Sequence, residues 1–155
     1  MASTSTNKQP LLIDRVLHYV VNLDTATNDG MDIIGTNTAV LIVDATNTDG
    51  AILEDIYVIA RGTTGYKVNL YISTARDYLR PNEASFVGTL TSPTTKGEAS
   101  HWTGMPIVLA PVPQQGDNAF NQAFYLPKGT ALWAAREGST NVSDGPLIGC
   151  QGGWY

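Results

Sequence analysis

The chain is short of nearly every residue type that supports catalysis or covalent cross-linking. Its 155 residues include two histidines, His18 and His101, and one cysteine, Cys150. A single cysteine excludes an intramolecular disulfide. Two distant histidines and one cysteine do not make the three- or four-ligand cluster that zinc requires. Charged residues are 15% of the chain. The nine Lys and Arg are scattered; only Arg76 and Arg80 lie close together, with Asp77 between them. A net charge of −5 speaks against nucleic-acid or acidic-membrane partners, which need clustered positive charge. No apolar run approaches the roughly 20 residues that span a bilayer. The opening MASTSTNKQP has no apolar signal-peptide core, so assembly in a reducing cytoplasm is expected. No stretch has a convincing helical period.

What the chain does have is a row of short β-type runs framed by Thr, Asn and Gly. They fall at 16–23, 38–45, 55–61, 66–73, 84–90, 105–110, 122–126, 130–136 and 147–155. Turn chemistry separates them: Asn28-Asp29-Gly30, Asn47-Thr48-Asp49-Gly50, Gly62-Thr63-Thr64-Gly65 and Pro127-Lys128-Gly129. The run 38–45 is apolar on both faces, as a buried strand is. In 66–73, Val68, Leu70 and Ile72 alternate with Lys67, Asn69 and Tyr71, the pattern of a sheet with one wet face. Gly62 to Gly65 reads as a hairpin turn joining the third and fourth runs. Residues 74–82 have room for one short helical turn, ended by Arg80-Pro81. Residues 91–104 read as the longest loop. About eight strands at this spacing predict an all-β, antiparallel β-sandwich of the jelly-roll type. Residues 13–155 form its single domain, and the small, polar stretch 1–12 is an extended N-terminal arm.

Candidate chemistry is thin. His18 sits mid-strand between Leu17 and Tyr19, where a strand residue with a satisfied ring is the simpler reading. His101 and Trp102 lie in the long loop and form a possible ligand-contact pair, with loop packing as the simpler alternative. The Asp-rich turns 24–32 and 44–50 miss the calcium-loop frame, because Thr25 and Ala45 stand five residues before their glycines. No Gly-rich phosphate loop is present. Tyr57, Tyr66, Tyr71, Tyr78, Trp102, Trp154 and Tyr155 are candidates for stacking on sugars, whereas Trp133, with Ala131 and Ala135 on one strand face, reads as core. No catalytic residue, metal ligand or cofactor emerges, so the chain is read as a non-enzyme.

The polar arm, the row of strands and the segment Tyr125-Leu126-Pro127-Lys128-Gly129-Thr130-Ala131-Leu132-Trp133 resemble the small jelly-roll proteins that decorate or cement the capsids of tailed phages. The resemblance implies a homotrimer on the capsid exterior of a virion, bound to the major capsid protein and to neighbouring copies of itself. It implies no nucleic-acid or membrane contact. Interface candidates are Ser3, Thr4, Gln9, Leu11 and Leu12 in the arm, with Trp154 and Tyr155 at the other end. For that last pair, burial in the protein's own sheet and burial between subunits both stand. The competing expectation is a carbohydrate- or receptor-binding sandwich, such as a head fibre or a tail component.

Overall fold

The structure is a computed structural model and describes residues 15–25, 27–28, 39–76, 79, 83–102, 123–138 and 142–154. The arm and Tyr155 lie outside the described residues, as does the run expected at 105–110. Among the described residues ten strands are seen: β1 (Arg15–Asn22), β2 (Thr27–Asn28), β3 (Val40–Asp44), β4 (Gly50–Ile59), β5 (Lys67–Ser73), β6 (Ala84–Thr91), β7 (Ala99–His101), β8 (Phe124–Pro127), β9 (Ala131–Glu137) and β10 (Leu147–Trp154). The first sheet runs β1-β10-β4, with β7 and β8 both pairing β4. The second runs β6-β5-β9, with β3 and β2 both pairing β9. All pairings are antiparallel except β2 on β9. Successive strands mostly alternate between sheets, and β5–β6 is the one consecutive pair bonded to each other among the described strands. The order β1-β10-β4 facing β3-β9-β5-β6 is that of an all-β jelly-roll sandwich.

This topology corrects two expectations. The turn from Gly62 to Gly65 does not close a hairpin: β4 and β5 lie in different sheets. A strand has only two hydrogen-bonding edges. Those of β4 are taken by β10 on one side and by β7 and β8 on the other, and those of β5 by β6 and β9. The turn therefore crosses the sandwich. Ala60 N donates to Glu98 O and Ser92 N to Tyr66 O, tying its two ends to different neighbours. The expected loop 91–104 likewise contains a strand, β7. Its three residues are polar or small and show no apolar alternation, so only pairing with β4 reveals it.

The main core lies between the sheets. Leu17, Leu53, Ile56, Val58, Ile148 and Cys150 of the first sheet meet Val43, Val68, Leu70, Val87, Leu90 and Leu132 of the second. The far face of the second sheet is covered too. Tyr71, Ala131, Trp133 and Ala135 form a second cluster closed by Leu79 from the connection after β5. This overturns the wet face expected for β5: Tyr71 is 1% exposed and Asn69 is fully buried. Asn69 is accommodated by polar neighbours, accepting from Thr89 Oγ1 at 2.6 Å and donating to Glu137 Oε1 at 3.4 Å. A buried polar group of this kind is tolerated only with such partners. Among the described residues of 74–82 no helical turn is seen.

Cys150 illustrates the dryness of the main core. Burial pushes its thiol up to about 12, and the thiolate is the reactive form. The native protein should therefore resist an aromatic disulfide reagent at neutral pH and react promptly once unfolded in urea. Equal labelling rates in the two states would show that this core opens readily.

Ion pairs fasten the strand ends. Arg61 Nη1 lies 2.8 Å from both carboxylate oxygens of Asp24, and the guanidinium also reaches Ser143 O and Gly145 O. Burial opposes ionisation of Asp24. Hydrogen bonds from Arg61 and Asn22, with the Arg61 charge, outweigh it and hold the carboxyl below its ordinary value of 3.8. A depressed carboxylate contributes stability above its unfolded pKa and loses it as the pH falls through the folded one. The wild type should thus be more stable than Asp24→Asn at neutral pH, and that margin should shrink as the pH falls below the ordinary carboxyl value of 3.8. Urea titrations at several pH values measure the margin; a constant margin would deny the pair this role. The second Asp-rich turn is engaged in the same way. Asp44 accepts from Thr46 and pairs with Arg76, and Asp49 pairs with Lys128.

Candidate binding surface

The outer face of the first sheet is assembled by strand register. Val20, Gly149, Tyr57 and His101 stand side by side across β1, β10, β4 and β7. His18, Gln151 and Asp55 form the adjacent row. A third row holds Val16, Gly153, Ile52 and Tyr125. Both histidines of the chain therefore reach one face, on opposite sides of a single tyrosine.

The side chains in the first two rows interlock. A Cβ placed on Gly149 would sit 2.5 Å from Tyr57 Cζ and 2.6 Å from its Cε2. The ring thus lies along the sheet in the space that a side chain at Gly149 would fill. Glycine in a strand interior has this use, admitting a close approach. The Tyr57 hydroxyl is 2.9 Å from His18 Nε2, and the His101 ring is tilted at 45° with its centroid 6.0 Å from that of Tyr57. His101 Nδ1 is 2.8 Å from Asp55 Oδ2. An ionised carboxylate only accepts, so Nδ1 carries the proton and Nε2 points elsewhere as an acceptor when the ring is neutral. Burial raises the pKa of the Tyr57 phenol, and the Asp55 carboxylate adds to it. The phenol stays protonated at neutral pH, and its hydroxyl shares a hydrogen bond with His18 Nε2.

His101 and Trp102, paired as a possible ligand contact, part company here. Successive strand residues face opposite ways. His101 is 60% exposed on the outer face, while Trp102 turns inward against the main core and lies over Gly88 of β6. Tyr71, another of the proposed sugar-stacking residues, is buried. Tyr57 is one of the aromatic stacking candidates of the sequence, whereas Asp55 and Gln151 are not singled out there. The available signal was parity: in Asp55-Ile56-Tyr57-Val58 the two polar residues alternate with two core residues.

A second feature is the rim at β1. This strand pairs with β10 on one side, and no described strand pairs with its other side. Exposed edges in natural sheets usually carry lysine, proline, a bulge or a cover. Beyond its opening arginine, β1 reads Val16-Leu17-His18-Tyr19-Val20-Val21-Asn22, and its register with β10 is unbroken. Val16 is 79% exposed, Tyr19 47% and Val20 42%. Beneath the rim, a cleft of about 360 Å³ opens between β1 and β3, lined by Leu17, Tyr19, Leu41, Val43 and Trp154 among others. Trp154 packs partly on the main core, with the Arg15 guanidinium 5.8 Å from its ring centroid. Ser3, Thr4, Gln9, Leu11, Leu12 and Tyr155 lie outside the described residues.

Among the described residues no group of three or more His, Cys, Asp or Glu is arranged to hold a metal ion, and no helix is long and apolar enough to cross a membrane. Compared with models of protein families, with curated proteins and with solved structures, the chain matches none.

Proposed function

We propose that this protein is a non-enzymatic virion structural subunit, a jelly-roll protein that decorates and cements the head of a tailed phage. Its partners are the major capsid protein and neighbouring copies of itself, in a homotrimer on the capsid exterior. The observation that carries this reading is the edge of β1, with which no described strand pairs. An eight-residue strand with an exposed valine-rich surface and an edge that no described strand covers is a template for another chain. Such an edge is best explained if it is covered in an assembly. Trp154, beside Arg15 in the cleft below that edge, belongs to the same contact region. Binding there stabilises the shell by mass action, since a subunit that binds only the assembled state shifts the equilibrium toward it.

The test is twofold. Light scattering at micromolar concentration should give a trimer mass, and purified heads of the encoding virus should carry the protein down on sedimentation. A protein that stays monomeric and does not sediment with heads would refute the proposal.

A further inference from the structure

Apart from His18, the polar side chains around Tyr57 lie on β10, β4 and β7 rather than on the rim strand β1, and the site does not rest on the virion reading. We propose that it is a binding site for a neutral sugar, a single hexopyranose ring or the end of a neutral polysaccharide. The Tyr57 ring forms the floor: it lies against Gly149 on the outer face of the sheet and is half-buried. Four hydrogen-bonding side chains, each on the same face by register, surround it. They are His18 on β1, Gln151 on β10, Asp55 on β4 and His101 on β7. With strands about 4.8 Å apart and same-face residues about 7 Å apart along a strand, the patch measures roughly 14 Å by 7 Å. That is a footprint for one or two rings.

The groups match the ligand's chemistry. A pyranose presents a flat C–H face that suits an aromatic ring, and hydroxyls at its rim that both donate and accept. Asp55 only accepts, His101 Nε2 accepts when neutral, and the Gln151 amide does both. These rim groups are held on rigid strands, and His101 is oriented by Asp55, so little ordering is required on binding. Charge selects among sugars. A fixed carboxylate in the rim, on a chain of net charge −5, disfavours uronic and sialic acids and phosphorylated sugars.

The test uses the full chain. Ligand-detected saturation-transfer NMR would be run with glucose, galactose, mannose and N-acetylglucosamine, with glucuronate as the anionic control. Electrophoresis through gels containing dextran, mannan or galactan would follow. At least one neutral sugar should bind, with a dissociation constant on the order of 1 mM for a single ring. Tyr57→Ala should weaken it tenfold or more, and glucuronate should bind far less. His101→Ala and Gln151→Ala alter exposed side chains and should each weaken binding several-fold with the melting temperature unchanged. These two variants keep the test valid if Tyr57→Ala disturbs the sheet at Gly149. Three results would overturn the proposal: silence from every neutral sugar and gel, binding unchanged in His101→Ala and Gln151→Ala, or glucuronate binding as tightly as glucose.

Discussion

On the proposed virion role, replacing both Val16 and Val20 by lysine should abolish self-association and capsid binding while leaving the subunit folded. Both valines project from the outer face of β1 into solvent, and Val16 is the most exposed large apolar residue described. Their removal costs the core nothing, because Leu17, between the rows they occupy, is the residue that packs inward. Two lysines give the edge strand the device that natural edges use to resist pairing, a charge that must be desolvated if another chain docks. If these valines are contact hot spots, each is worth about 2 kcal/mol or more. Losing both would weaken association by about a thousandfold, since each 1.4 kcal/mol is a factor of ten. Light scattering and head sedimentation measure the loss, and an unchanged thermal transition shows that the fold is intact. A double variant that still trimerises and still binds heads would place the interface elsewhere.

Gly152→Ala should have the largest effect on the fold itself. Gly152 sits at the irregularity where the pairing of β10 with β4 shifts, between Gln151 and Gly152. A Cβ there would run into the carbonyl oxygen of Ile52 and come within 2.9 Å of Leu53 Cα. Both obstacles are backbone of β4, which is itself held by β8 through Ile52↔Tyr125 and Leu53↔Phe124. No side chain can swing aside to make room. The methyl must push apart two strands at the centre of the first sheet. Overpacking of this kind costs typically about 1–3 kcal/mol, and more where the backbone cannot yield. The variant should lose at least about 3 kcal/mol, visible as a drop in the urea midpoint, or fail to fold. By contrast, Gly97→Ala has open space around its Cβ but requires a positive φ of 89°. Its cost is limited to backbone strain, so it should be destabilised less. A Gly152→Ala protein as stable as the wild type would mean that β10 and β4 do not approach as described.

The sequence by itself determined that this is an all-β chain and where most of its strands lie. Alternation and turn residues are local properties, readable within eight or ten positions. Val68-Asn69-Leu70-Tyr71-Ile72 cannot sit as a helix with one apolar face, and Pro127-Lys128-Gly129 ends one strand and starts the next. Parity within a strand was also legible, including that Asp55 and Tyr57 share a face. Tertiary structure decided three further things. It decided that β4 and β5 belong to different sheets, because partner choice depends on which strand edges remain open. It decided that Tyr71 and Asn69 are buried, because alternation separates two faces without saying whether the second is covered. And it brought His18 and His101 to either side of Tyr57, because residues distant in sequence become neighbours only through the registers of β1, β10, β4 and β7. Chain separation contributes little to that choice, since closure entropy grows only slowly with length; the fit of all the strands together sets it.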